Sequence, residues 1–102
     1  MSRLLALLFC AAPALAGEVA AVDAIALERL VRQDCGSCHG LSLKGGLGPD
    51  LRPDALQHYD HETLETVILD GVPGTAMPPW RPLLSEDEAQ WIATYLLTGG
   101  AE

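Results

Sequence analysis

Two cysteines and a histidine near the middle of the chain have the types and spacing that most clearly support chemistry. Residues 35–39 read Cys-Gly-Ser-Cys-His. Two thiols three positions apart lie on the same side of a helical turn. Each can add to one vinyl group of a haem edge, and the imidazole of His39 then lies beneath the iron. C-x-x-C-H is the signature of covalent attachment of a c-type haem through two thioethers at Cys35 and Cys38.

Other interpretations of the two cysteines remain open at this point. C-x-x-C also occurs in thioredoxin-like redox dithiols, in structural disulfides and in zinc sites. A thioredoxin-like motif needs a βαβ context, and no segment reads as a strand. A zinc site needs further ligands; His58 and His61 could supply them, but they lie in an acidic segment at unsuitable spacing. The histidine directly after the second cysteine favours haem.

A methionine downstream of the motif is the candidate for the second iron ligand. Apart from Met1, Met77 is the only methionine, and it lies in the run Gly-Thr-Ala-Met-Pro-Pro-Trp at residues 74–80. Such a loop can wrap around the far face of a haem, with its prolines restricting the backbone. Ligation by histidine and methionine raises the reduction potential. The alternative is that Met77 is a packing residue and that His58 or His61 is the ligand.

Further residues are candidates for supporting contacts. Ligating histidines usually donate their second ring N–H to a carbonyl, and we expect the acceptor for His39 to be the carbonyl of Pro49. Four side chains are candidate partners of the haem propionates: Tyr59, Trp80, Arg52 and Arg81.

The N-terminus has the layout of a secretory signal. Arg3 precedes a short apolar run at residues 4–12, and Ala14-Leu15-Ala16 forms an A-x-A cleavage site. The run is shorter than the roughly 20 residues that span a bilayer. We therefore predict that residues 1–16 are a cleaved signal peptide that removes Cys10, and that residues 17–102 form one domain in the periplasm with no membrane insertion. A retained N-terminal anchor is the alternative.

Size and charge limit the classes of partner. Cleavage would leave 86 of the 102 residues, and the loss of Arg3 would change the formal net charge from −8 to −9. A domain this small is often reinforced by a cofactor, a metal or a disulfide. The acidic balance argues against nucleic acid and anionic lipid as partners. It favours proteins with a basic docking face.

Three amphipathic segments are predicted to be helices. The first covers residues 23–34, with Asp23 as N-cap. The second covers residues 61–70, with Asp60 as N-cap and Gly71 as terminator. The third runs to residue 97 and begins with an S-x-x-E capping box formed by Ser85 and Glu88.

Apolar residues recur at helical spacing along each of these segments. The expected buried positions are Ala26, Leu27, Leu30, Val31, Leu64, Val67, Ile68, Ala89, Ile92, Ala93 and Leu96. Residues 40–54 and 71–82 are rich in Gly and Pro and are expected to be loops. The predicted fold is all-α with long loops.

In their order along the chain, these elements resemble the class I cytochrome c family. The matching elements are a helix before Cys35-x-x-Cys38-His39, then Gly48-Pro49, Met77-Pro78 and a C-terminal helix with Trp91 and Tyr95. The resemblance covers essentially residues 17–102. It implies a small cytochrome c fold in which the N- and C-terminal helices pack against each other around one covalently bound haem c, with Trp91 against residues 26–30. The short stretch between His39 and Met77 indicates a compact bacterial form.

The same resemblance implies the site and its use. Cys35, Cys38, His39 and Met77 would hold the haem, and His39 and Met77 would ligate its iron. Such a protein is a monomeric electron carrier with no catalytic residues, and acidic side chains would steer a basic partner to it. The candidates for steering are Asp50, Asp54, Glu62 and Glu65.

A narrower resemblance concerns three segments, residues 45–49, 70–80 and 83–85. They look like those of the small cytochromes encoded beside dissimilatory nitrite reductase in denitrifying bacteria. The implied role is to pass single electrons to nitrite reductase, or to assist maturation of its d-type haem. A ligand-binding haem sensor or a peroxidase-like enzyme is a further alternative, but both need an open iron position, against which Met77 argues.

Overall fold

Residues 22–100 are described by the computed structural model, and within this range there are helices, turns and loops but no strand. This confirms the all-α fold class. The predicted signal peptide, residues 1–16, lies outside the described residues, as does Cys10.

A helical run from Ala24 to His39 carries the cysteine motif and has three consecutive segments. They are α1 (Ala24–Leu30), a π-helical turn (Val31–Cys35) and α2 (Gly36–His39). The Asp23 carboxylate accepts a hydrogen bond from the Ala26 N–H at 3.0 Å, which confirms the predicted N-cap. The run continues beyond the predicted end at residue 34, so the motif itself is helical.

The π-helical turn was not predicted. It is closed by a hydrogen bond from the Gly36 N–H to the Val31 carbonyl, five residues earlier. Leu27 and Val31 are buried in the core, as predicted. Ala26, predicted to share their face, is exposed, because it lies on the solvent side of α1.

Helix α3 (His61–Asp70) begins and ends where the sequence predicts. Asp60 caps it by accepting a hydrogen bond from the Thr63 N–H at 2.6 Å. Gly71 ends it with φ +67°, a left-handed value that favours glycine. The buried face consists of Leu64, Ile68 and Leu69, while Val67 is half-buried.

Helix α4 (Glu86–Leu97) begins with the predicted capping box. The Ser85 hydroxyl accepts from the Glu88 N–H at 3.1 Å, and the Glu88 carboxylate accepts from the Ser85 N–H at 3.0 Å. All four predicted apolar positions of this helix are buried. Helix α4 packs against both α3 and α1, so the first and last helices meet as the family resemblance implied.

Polar contacts join α4 to α3 and to the π-helical turn. The His61 Nε2 atom lies 2.6 Å from the Thr94 hydroxyl, which links α3 to α4. Arg32 donates to the Tyr95 hydroxyl at 3.5 Å, and the Tyr95 ring stacks on Trp91 with ring centroids 4.9 Å apart. Trp91 is half-buried against the core.

Two long loops separate the helices. The first ends in a short 3-10 helix, Pro53–Leu56, which the sequence did not predict and which begins on a proline. The second connects α3 to α4 and contains Met77. These loops position the candidate site.

Candidate functional site

A cavity of about 470 Å³ lies between the cysteine motif, the two loops and helices α3 and α4. Residues Cys35, Cys38, His39 and Met77 all line it. Its apolar wall includes Leu51, Leu56, Leu64, Ile68, Ile92 and Leu96. The four residues predicted from the sequence therefore meet at one apolar cavity, whose volume is in the range of small-molecule and cofactor sites.

The two cysteines reach the cavity from the helical run. Both are half-buried free thiols. Burial, followed by the Asp34 carboxylate, raises the pKa of the Cys35 thiol to about 11. A thiol of this kind stays protonated at neutral pH, unlike the activated thiolate of a redox dithiol. In residues 22–100, no group of three or more His, Cys, Asp or Glu side chains could hold a metal ion. The raised pKa of Cys35 therefore argues against the redox-dithiol interpretation.

The His39 imidazole is held in one orientation by its own chain. Its Nδ1 atom lies 2.7 Å from the Pro49 carbonyl oxygen, as predicted. A carbonyl oxygen can only accept, so Nδ1 donates and carries the proton, and Nε2 retains the lone pair that a metal ion requires.

Gly48 packs directly on the His39 ring. A Cβ atom at this position would lie 2.6 Å from Cε1 and 2.7 Å from Nδ1 of His39. These distances are well inside van der Waals contact, so only glycine fits here without moving the ring. The motif Gly48-Pro49 is visible in the sequence, but this contact is not, because it depends on the fold of the loop.

The loop around His39 is closed by backbone hydrogen bonds to the motif. The Gly45 N–H donates to the His39 carbonyl at 2.8 Å, and the Gly48 N–H donates to the Cys38 carbonyl at 2.7 Å. The last carbonyl groups of a helix lack partners within it. The loop supplies those partners, so the end of α2 and the Pro49 acceptor form one hydrogen-bonded unit.

Met77 is half-buried and reaches the cavity from the second loop. Its backbone N–H donates to the Thr75 hydroxyl at 3.3 Å, and its carbonyl accepts from the Val72 N–H at 3.3 Å. Beyond it, the loop is fastened to α3 by the Arg81 N–H, which donates to the Leu69 carbonyl at 2.9 Å.

An ion pair on the surface fastens the same end of this loop. The Arg81 guanidinium donates to the Asp70 carboxylate at 2.7 and 3.0 Å, which lowers the pKa of Asp70. Arg52, another candidate for propionate binding, is paired in the same way with Asp50 at 2.7 Å.

Within residues 22–100, no Lys or Arg lines the cavity. Tyr59 and Trp80, two of the predicted propionate partners, do line it. So does His58, which the sequence analysis treated only as an alternative zinc or iron ligand. The His58 and Tyr59 rings are 4.2 Å apart between centroids. His61 instead faces Thr94 and does not line the cavity.

The donor set fits a covalently attached haem. Two free thiols, one imidazole with an available Nε2 atom and one thioether meet at a cavity that is otherwise mainly apolar. These are the attachment and axial ligands that a c-type haem with His/Met ligation uses.

Comparison with known proteins points the same way. Residues 22–96 match the family model described as cytochrome c oxidase, cbb3-type, subunit III. Cytochrome c55X of Paracoccus denitrificans is 58% identical over 98 residues, which covers 95% of each chain. The solved structure of the c-type cytochrome NirC has a TM-score of 0.74 and 51% identity, covering 76% of this chain and 91% of that one.

A more distant relative is a much larger protein. Dihydro-heme d1 dehydrogenase of Pseudomonas aeruginosa is 38% identical over 69 residues, which is 68% of this chain but only 14% of that protein. The cofactor of c-type cytochromes is a covalently bound haem c. The cavity, the motif and the matched relatives together show that the chain belongs to the class I c-type cytochromes.

Proposed function

We propose that this chain is a periplasmic electron carrier in which Cys35 and Cys38 bind haem c covalently and His39 and Met77 ligate its iron. The observation that carries the proposal is the meeting of these four side chains at one apolar cavity. The haem supplies an iron that alternates between the ferrous and ferric states. No substrate bond is made or broken, so the protein acts as a carrier and not as an enzyme.

Each part of the site has a separate task in this proposal. The thiols would fix one edge of the cofactor, and the Pro49 carbonyl holds the His39 ring with Nδ1 donating, which leaves Nε2 to bind the iron. Met77 would supply the second ligand to the iron and would exclude external ligands. The buried leucines and isoleucines keep water away, which limits the reorganisation that accompanies a change of charge.

The proposed docking surface surrounds the mouth of the cavity. Leu47 and Val72 line the cavity and yet are 83% and 39% exposed, so they lie at its rim. Residues 71–80 of the second loop contain no charged residue. We infer that a redox partner contacts this uncharged rim weakly and transiently, as redox encounters do.

Acidic side chains outside the rim would steer a partner with a basic docking face. Asp54 and Glu62 are exposed and suited to this role. Asp50 and Glu65, also predicted to take part, face Arg52 and His61, so we expect smaller contributions from them. Electron-transfer rates should fall as the salt concentration rises if this steering operates.

The partner that we propose is the nitrite reductase of denitrification. The similarity to NirC supports this context. The similarity to dihydro-heme d1 dehydrogenase favours a second role, delivery or removal of electrons during maturation of the d-type haem. Deleting the gene separates the two: loss of d-type haem supports maturation, and normal haem content with slower nitrite reduction supports electron donation.

Export of the mature domain, residues 17–102, is part of the proposal. Residues 1–16 would be cleaved as a signal peptide, and the mature protein would be a monomer. None of the helices in residues 22–100 has the length and apolarity needed to cross a bilayer. The mass of the purified protein tests the cleavage site directly.

The first experiment is an absorption spectrum of the protein made in a host with haem-attachment machinery, oxidised and reduced, with and without carbon monoxide. We expect a low-spin ferric spectrum with a weak methionine–iron band, and no change of the reduced form with carbon monoxide. Ready binding of carbon monoxide would favour the ligand-sensor alternative. Absence of covalent haem would overturn the proposal.

A further inference from the structure

Leu43 has an unusual backbone conformation. Its φ is +57°, and it is the only residue other than glycine with a positive φ in residues 22–100. The left-handed region is unfavourable for a bulky side chain because Cβ approaches the following carbonyl oxygen. Such a conformation persists only where the surrounding structure imposes it.

The side chain of Leu43 explains why the conformation persists. It is only 2% exposed and belongs to the hydrophobic core, whereas Leu41, two residues earlier, is 77% exposed. Leu43 does not line the cavity, so its burial serves the core and not the cofactor surface. It is the one buried side chain between residues 40 and 50.

The backbone of Leu43 ties together both ends of the loop that surrounds His39. Its N–H donates to the Gly40 carbonyl at 2.8 Å, and its carbonyl accepts from the Leu51 N–H at 2.9 Å. The enclosed segment, residues 44–50, carries the Gly48 contact with the His39 ring and the Pro49 acceptor. The position of that acceptor therefore depends on the place where Leu43 is anchored.

We propose that Leu43 is a positioning residue for His39: its buried side chain holds the loop so that the Pro49 carbonyl accepts from Nδ1. This inference rests on the proposed function, because it takes His39 as the iron ligand. A hydrogen bond from Nδ1 makes the imidazole a more basic ligand. Weakening that bond should favour the ferrous state and raise the reduction potential.

The test compares two leucines that are buried to the same extent. Leu43→Ala and Leu27→Ala each remove a leucine that is at most 3% exposed, but Leu27 belongs to α1 and not to the loop. Both haem-loaded variants should unfold at lower denaturant concentration. Only Leu43→Ala should raise the reduction potential. In the reduced form of this variant, the Nδ1 proton of His39 should exchange about tenfold faster than in the parent protein.

Two further variants keep the test decisive. Leu43→Gly removes the buried side chain but relieves the backbone strain, so it replaces Leu43→Ala if that variant does not fold. We expect it to raise the reduction potential in the same way. Leu43→Met keeps a buried apolar chain and should restore the parent potential and exchange rate.

Two results would distinguish failure of this inference from failure of the proposed function. If Leu43→Ala and Leu27→Ala have the same reduction potential and the same exchange rate of the His39 Nδ1 proton, Leu43 is only a core residue. If the parent protein itself shows no His39 ligation in its spectrum, the proposed function is wrong and the inference falls with it.

Discussion

The two loops that border the cavity hold their candidate ligands by different means. The loop after α2 is bonded to the backbone of Cys38 and His39, and it contacts the His39 ring through both Gly48 and Pro49. The loop between α3 and α4 holds the Met77 backbone through contacts of 3.3 Å, and its far end is fastened to α3 by the Arg81 N–H at 2.9 Å and by an exposed ion pair.

This difference indicates which of the two candidate ligands is held more firmly by the chain. The His39 ring is oriented by a hydrogen bond from Nδ1 to the Pro49 carbonyl, so its orientation does not depend on contact with a redox partner. The Met77 side depends more on prolines and on steric contacts around Gly71. We therefore expect local opening to expose the Met77 side first, since the hydrogen bonds of its loop reach the Met77 backbone, whereas Pro49 holds the His39 ring itself.

The largest expected effect comes from removing the ligand on each side. His39→Ala should lower the yield of folded, haem-loaded protein by about tenfold, because ligand binding contributes directly to folding. Met77→Ala should still give covalent haem, but its reduced form should bind carbon monoxide. The reduction potential should decrease, by less than the roughly 0.8 V that axial ligands span. Mass spectrometry and absorption spectra measure both. Equal yields for the two variants would contradict the proposed asymmetry.

A smaller effect is expected from two glycines of the Met77 loop. Both Gly71 and Gly74 have positive φ, +67° and +80°. A Cβ on Gly71 would lie 2.6 Å from the Met77 carbonyl oxygen, whereas one on Gly74 would meet nothing within 4 Å. Gly74→Ala should cost about 1 kcal/mol of unfolding free energy, from strain alone. Gly71→Ala should cost about 3 kcal/mol because a steric clash is added.

The same pair of variants tests the position of Met77. Gly71→Ala should weaken the methionine–iron band and admit carbon monoxide, while Gly74→Ala should leave both unchanged. Denaturant unfolding and carbon monoxide titration provide the two readouts. If Gly74→Ala opens the site as readily as Gly71→Ala, backbone strain and not the contact with Met77 controls this loop.

The smallest effect is expected from the ion pair between Asp70 and Arg81. Hydrogen bonds from Arg81 lower the pKa of Asp70 below its ordinary value of 3.8. The pair therefore contributes fully above that pH and loses its contribution as the pH falls through the lowered pKa. Asp70→Asn should slightly increase carbon monoxide access at pH 7, and the difference from the parent should vanish below the lowered pKa.

Arg81→Gln should act in the same way as Asp70→Asn, and the double variant should add little to either. High salt should reduce the effect because both side chains are exposed. If the variants still admit more carbon monoxide than the parent at low pH, the charge of Asp70 is not the cause of the difference.

Elements defined by local signals were predicted correctly from the sequence. The bounds of α3 and the start of α4 follow from Asp60, Gly71 and the capping box, all of which act within one turn. The cysteine motif and Met77 could be chosen by residue type alone. The Pro49 acceptor was also predicted, because a glycine–proline pair ten residues after His39 can reach its ring.

Features that depend on tertiary packing were missed. The sequence around Leu43 reads as a glycine-rich loop, and nothing local shows that this one leucine enters the core. The contact of Gly48 with His39 and the place of His58 on the cavity wall require the loops to be folded. Periodicity also failed at Val31–Cys35, since a π turn alters the period only locally.

The π turn separates two registers within one continuous helix. Leu27 before the turn and Val31 at its start are buried in the core, whereas Cys35 at its end and Cys38 after it line the cavity. A π turn accommodates one more residue than an α turn. Gain or loss of one residue between positions 31 and 35 would therefore rotate the cysteines away from the cavity while leaving the packing of α1 intact. Over evolutionary time, the exposed residues 32–34 of this segment should tolerate substitutions, but the segment should not tolerate changes of length.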